Sequence, residues 1–195
     1  AKKGVGMTKF RQYAQLAILG LGFSSCMALP YIHFKLYDLI TGVMEVSNQQ
    51  LGMFLTVYTV VAMCCYIPTG AITDRVPAKL LMTFALILQA FAHIIVILSP
   101  NNTGGLIAWA VSGVIMPLFW VPMVKAVRES GSAKEQGKMF GCFYAATGVF
   151  STVIGLTGAK LVAFHPESLG LAFNNLMYVQ AGFCLVAAAG VHFIV

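Results

Sequence analysis

Gly70-Ala71-Ile72-Thr73-Asp74-Arg75-Val76-Pro77-Ala78-Lys79 is a short charged stretch between two apolar runs, each long enough to cross a bilayer. A run of that length crosses hydrocarbon only as a helix, because its backbone N–H and C=O groups find no water there and must pair within the segment. The stretch is therefore a turn at a membrane surface, with one helix arriving and the next leaving.

Working outward from this turn, the apolar runs predict six spans, at 13–38, 49–73, 78–99, 105–127, 138–163 and 174–195. Composition agrees. The 195 residues are 59% hydrophobic and 9% charged with a mean hydropathy of +0.85, far more apolar than a soluble domain. The net charge of +6 would suggest nucleic acid in a soluble protein. Here the basic residues sit at the ends of apolar runs, so the partner they imply is the lipid bilayer and no nucleic acid. The N-terminal residues Lys2, Lys3, Lys9 and Arg11 precede an apolar run from Ala14 to Phe34 that is too long for a signal peptide, so it reads as the first span.

Ten of the twelve Lys and Arg fall at the N-terminus, in the turn after span two (Arg75, Lys79) and in the loop after span four (Lys125, Arg128, Lys134, Lys138). This asymmetry predicts a multi-pass protein of a plasma or inner membrane with both termini cytoplasmic. The outer turns are rich in Gly, Pro, Asn and Ser, and one contains the sequon Asn101-Asn102-Thr103, close to the membrane. The five cysteines lie within apolar spans without a Cys-x-x-Cys pair, so they read as packing residues. No metal site and no cofactor are expected.

Pro30, Pro68, Pro117 and Pro122 are expected to kink their helices. On the first span Gly20, Ser24, Ala28, Tyr31, Lys35 and Asp38 recur at helical steps, a smaller and more polar stripe that should face the bundle interior. Lys35 lies roughly 33 Å of helix beyond Tyr13, so it could equally snorkel at the outer surface. The second span repeats the pattern with Gly52, Thr56, Thr59, Tyr66 and Gly70, with Tyr58 beside it. Gln89 and His93 stand one turn apart on the third span, where they form a structural hydrogen bond or a proton site. Trp109 reads as an interface anchor, and Trp120 as lining either a cavity or the core. Gly141, Ala145, Gly148, Thr152, Gly155 and Ala159 make a small-residue seam on the fifth span, suited to close helix approach.

The turn's Gly-x-x-x-Asp-Arg pattern (Gly70, Asp74, Arg75), followed by the basic Lys79 between the second and third spans, resembles the signature loop of the major facilitator superfamily of secondary transporters. Pro77 stands where that loop usually has Gly. The resemblance implies an all-α fold of two inverted three-helix repeats, spans one to three and four to six, forming half of a twelve-span transporter. A second six-helix half, absent from this sequence or supplied by a second chain, is then required. It also implies a cytoplasmic latch of Gly70, Asp74, Arg75, Lys79 and Glu129, with Asp74 near the start of the next helix and Arg75 facing Glu129. Glu135-Gln136-Gly137-Lys138 and Asn48-Gln49-Gln50-Leu51-Gly52 resemble the sugar-phosphate and organic-anion branch, whose phosphate-binding arginine falls on Tyr31 here. The resemblance thus implies transport of a small organic solute, an organic anion or sugar acid, with proton coupling as an option. The substrate-binding set expected on the inner faces is Ser24, Tyr31, Lys35, Tyr58, Tyr66, Trp120 and Tyr144.

Two other functions compete with this reading. A rhomboid-like protease would use Ser112 as nucleophile and His192 as base, and a non-transporting scaffold or receptor would need neither a site nor the signature turn.

Overall fold

The computed structural model describes residues 9–195, so Lys2 and Lys3 of the inner-side charge cluster lie outside the described residues. It is all helical: α1 (Lys9–Ala28), a 3₁₀ turn (Ile32–Phe34), α2 (Tyr37–Met44), α3 (Asn48–Thr73), α4 (Ala78–Leu98), α5 (Asn102–Glu129), α6 (Gln136–Phe164) and α7 (Leu169–Ile194). Among the described residues five helices, α3 to α7, are long and apolar enough to cross a membrane. α1 starts with Lys9 and Arg11 and stops after 20 residues, which keeps it out of that set.

The expected first span at 13–38 is therefore broken. Pro30 has no N–H to donate and its ring disfavours helical geometry in the residue before it, so α1 ends at Ala28. The chain turns through the 3₁₀ segment and restarts as α2, which closes on the left-handed residue Glu45 (φ 51°). The stripe from Gly20 to Asp38 is consequently divided: Asp38 lies in the first turn of α2, exposed. Pro68, Pro117 and Pro122 remain inside α3 and α5.

Helix starts follow local chemistry. Ser47 and Gln50 form a capping box at α3, Asn101 accepts from the Gly104 N–H at α5, and Ser168 caps α7. The Asn101 side-chain oxygen of the sequon is thus part of a helix cap.

α3 packs on α5, α5 on α4, α4 on α7, and α1 on both α6 and α7. Two large apolar clusters fill most of the bundle, one around Leu19, Leu86, Phe119 and Phe143, the other around Ile40, Phe54, Trp109 and Phe173. α1 approaches α6 closely because Gly20 has no side chain: a Cβ there would lie 2.9 Å from that of Ala146. The small-residue seam of α6 behaves otherwise. A Cβ added at Gly141 or Gly148 would meet nothing within 4 Å, so this face is open rather than packed. Gly52 and Gly70 on α3 are open in the same way. Trp109, expected at the interface, is buried at 1% exposure.

Candidate functional site

The break after α1 shapes a cleft between α1 and α6. Ser24, Met27, Ala28, Tyr31, Lys35, Ser151 and Ile154 line a volume of about 330 Å³. An adjoining volume of about 420 Å³ shares Lys35 and Ser151 and extends along Thr152, Gly155 and Leu156. A concave, mostly apolar surface with a few convergent polar groups is what a small-molecule site requires.

Those polar groups are connected. Ser24 Oγ donates to main-chain oxygens of Gly20 and Thr147, both at 2.9 Å. Ser151 Oγ donates to Ser24 Oγ at 3.2 Å. The Lys35 ammonium donates to the Ser151 main-chain oxygen at 3.2 Å, and its stem lies over Gly155, where a Cβ would be 3.5 Å from Lys35 Cδ. No acidic residue lines either part of the cleft. The cation is therefore held by a neutral carbonyl, with hydrogen-bonding capacity left for an anion.

The expected site residues separate into groups. Ser24, Tyr31 and Lys35 meet at the cleft. Tyr58, buried on α3, joins them through an edge-to-face contact with Tyr31, ring centres 6.0 Å apart. Trp120 and Tyr144 belong elsewhere: they are the ends of an aromatic chain that runs through Phe23 and Phe143, with adjacent rings 5.1 to 5.9 Å apart. Tyr66 sits on the exposed side of α3 and lines neither part of the cleft. Sequence reasoning missed Ser151 as a partner. Its only signal was a hydroxyl one residue off the seam of small residues.

Gln89 and His93 are fully buried at the junction of α4, α5 and α7. Gln89 Nε2 donates to Ser112 Oγ at 3.2 Å, His93 Nδ1 is 2.8 Å from the Gln89 main-chain oxygen, and Nε2 is 3.1 Å from Gln180 Oε1. The pair is bonded to neighbouring helices, as costly polar groups in hydrocarbon must be. Ser112 is committed to Gln89, while His192 is exposed beside Phe193, so the two do not form a nucleophile and base.

In the signature turn, Asp74 is the C-cap of α3, and α4 begins only at Ala78 after Pro77. Asp74 is thus at the end of one helix, not at the start of the next. No ion pair joins Arg75 or Lys79 to Glu129 among the described residues. Lys79 and Glu129 do line a common cleft of about 380 Å³, with Gln15, Pro77, Ala78, Ala126 and Val195.

The family model of the Major Facilitator Superfamily matches residues 14–195, nearly the whole chain. The chain belongs to the major facilitator superfamily. This facilitator chain is also similar to two Escherichia coli proteins: inner membrane protein YihN, 23% identical over 88% of this chain and 42% of the relative, and inner membrane protein YqcE, 25% identical over 72% and 33%. It spans less than half the length of either relative. Membership assigns the helices to a membrane transport family.

Proposed function

We propose that the chain is the first six-helix half of a secondary active transporter that carries a small organic anion, such as a sugar acid, across an inner membrane with both termini cytoplasmic. It is not an enzyme. The observation that carries the substrate class is the Lys35 ammonium, which among the described residues is held by the Ser151 carbonyl alone, in a cleft lined by no carboxylate. An anion there gains a charge-assisted hydrogen bond without displacing an existing ion pair.

The six-span reading counts α1, with the 3₁₀ turn and α2 completing its crossing, as the first span. The packing supports two inverted repeats. Exchanging the first three spans for the last three converts α1 on α6 into α5 on α3, and α4 on α5 into α7 on α1, all of them observed pairs. The open faces of α3 and α6, at Gly52, Gly70, Gly141 and Gly148, suit the docking of a second six-helix half. Gly70, Asp74, Arg75, Lys79 and Glu129 then act as a latch in another conformation.

Uptake by the full-length protein in proteoliposomes, measured over a panel of acidic, neutral and basic solutes, tests the reading. Preference for anions that is lost in Lys35→Gln supports it. Transport of no solute, with both halves present, would favour the scaffold reading instead.

A further inference from the structure

We infer that Trp109 is a positioning residue: its indole N–H, donated to the Pro30 main-chain oxygen, holds the break after α1 in the shape that lays the Lys35 ammonium against the middle of α6. The functional weight of this inference rests on the reading of Lys35 as an anion contact, although the geometry is independent of it.

α1 and α6 run side by side in parallel, with a constant register. Gln12 contacts Met139 and Ser24 contacts Ser151, each pair 127 residues apart. If α1 continued unbroken, the same register would set Lys35 opposite Val162, two residues from the end of α6 at Phe164. From Ser24 to Lys35 that helix would rise roughly 16 Å, too far for one lysine stem to return to Ser151. Instead Lys35 lies over Gly155 and Leu36 against Gly158, one to two turns deeper, and Lys35 Nζ reaches Ser151.

Proline ends α1 but does not specify where the chain goes next. The Trp109 bond does: Nε1 is 3.2 Å from the Pro30 oxygen. Among the described residues it is the one side-chain hydrogen bond that another helix makes to the main chain of residues 29–34, the Tyr31 side chain being separately bonded to Tyr58 of α3. The indole itself is fixed, 1% exposed, with its ring centre 5.2 Å from that of the fully buried Phe54. Straightening the segment would leave a buried N–H without an acceptor, a penalty that opposes the unbroken helix.

The test places a diazirine analogue of lysine at position 35 of the full-length protein in native membranes and maps its photo-cross-links. With Trp109 present, cross-links are expected on α6 at 151–155. Replacing Trp109 by benzothienylalanine, which keeps the ring shape and removes the N–H, is expected to lower their yield about fivefold, the worth of one buried hydrogen bond, and move them toward 162. Trp109→Phe should act in the same direction. A second probe, photo-methionine at position 139, reports whether α1 and α6 still pack, and its cross-link to α1 near Gln12 should not change. An unchanged yield and position at 151–155 in the benzothienylalanine protein overturns the inference, and so does loss of the Met139 cross-link, which would mean general loosening. If Lys35→Gln leaves anion uptake unaltered, the substrate reading falls while the cross-linking result stands.

Discussion

The ammonium of Lys35 and the main-chain oxygen of Ser151, 116 residues apart in sequence, lie 3.2 Å apart. A long basic side chain at the outer end of a membrane helix would ordinarily extend toward the headgroups. Here it turns back along α6, because the break at Pro30 redirects the chain and Gly155 leaves room for the stem.

Lys35→Gln is expected to raise KM for an anionic solute at least tenfold, since a hydrogen bond to a charged group is worth about 1.5–3 kcal/mol. Tyr31→Phe should raise it less. Gly155→Ala should be tolerated, because its Cβ meets Lys35 at ordinary contact distance, whereas Gly155→Leu would evict the stem and reproduce the Lys35→Gln defect. Uptake kinetics decide. Equal KM in wild type and Lys35→Gln would leave Lys35 without a substrate role.

The His93 cluster is expected to act in stability. Nδ1 faces a main-chain carbonyl, so that nitrogen carries the proton, and rotating the Gln180 amide brings its NH₂ group to Nε2 and leaves the ring neutral. His93→Leu strands the Gln180 side chain and should cost about 1–3 kcal/mol. A lower unfolding temperature in detergent with an unchanged pH profile of transport is the expected result. A pH profile that flattens in His93→Leu would assign the ring a proton-carrying role.

At the signature turn, Asp74→Asn is expected to lower the transport rate while insertion into the membrane is unaffected. The reason is positional: Asp74 stands at the C-cap of α3, where its backbone N–H donates to the Ile72 oxygen, and its carboxylate has no ion pair among the described residues, so its partner belongs to another state. Rate and surface expression measured on the same membranes check this. Equal rates would remove the turn from the mechanism.

The loop before α6 should respond to acid. Ser132 Oγ donates to Glu135 Oε2 at 2.7 Å and the Ser132 N–H donates to the same oxygen at 3.3 Å, and these bonds hold the Glu135 carboxyl below its usual value. A depressed carboxyl favours the folded loop above the ordinary carboxylate pKa, and that contribution disappears as pH falls through the lowered value. Hydrogen exchange at the Ser132 amide should therefore be slow near neutrality, after correction for intrinsic rates, and lose its protection only in acid. Glu135→Gln should weaken that protection near neutrality and remove its pH dependence.

The apolar runs, their lengths and the turn at Gly70–Lys79 determined the helices and most of their ends, because a backbone in hydrocarbon must satisfy its own hydrogen bonds and leaves no alternative at that length. The caps at Ser47 and Asn101 were equally local, each needing only a side-chain oxygen a few residues from the N–H it accepts. Which face of each helix is buried was legible only in part: Gly20 and Ser24 of the α1 stripe are buried as the pattern suggests, but other faces were not legible. Lipid tails and protein cores are equally apolar, so periodicity does not separate a face that packs from one that meets lipid or another partner. Hence the glycine seam of α6, read as packed, is open at Gly141 and Gly148, while α1 meets α6 at Ala146 and Thr147. The place of Lys35 was decided only by the tertiary structure. Pro30 was expected only to kink a continuous first span; that α1 ends there and the chain turns toward α6 involves contacts distant in sequence, among them an indole N–H from Trp109, 79 residues further along.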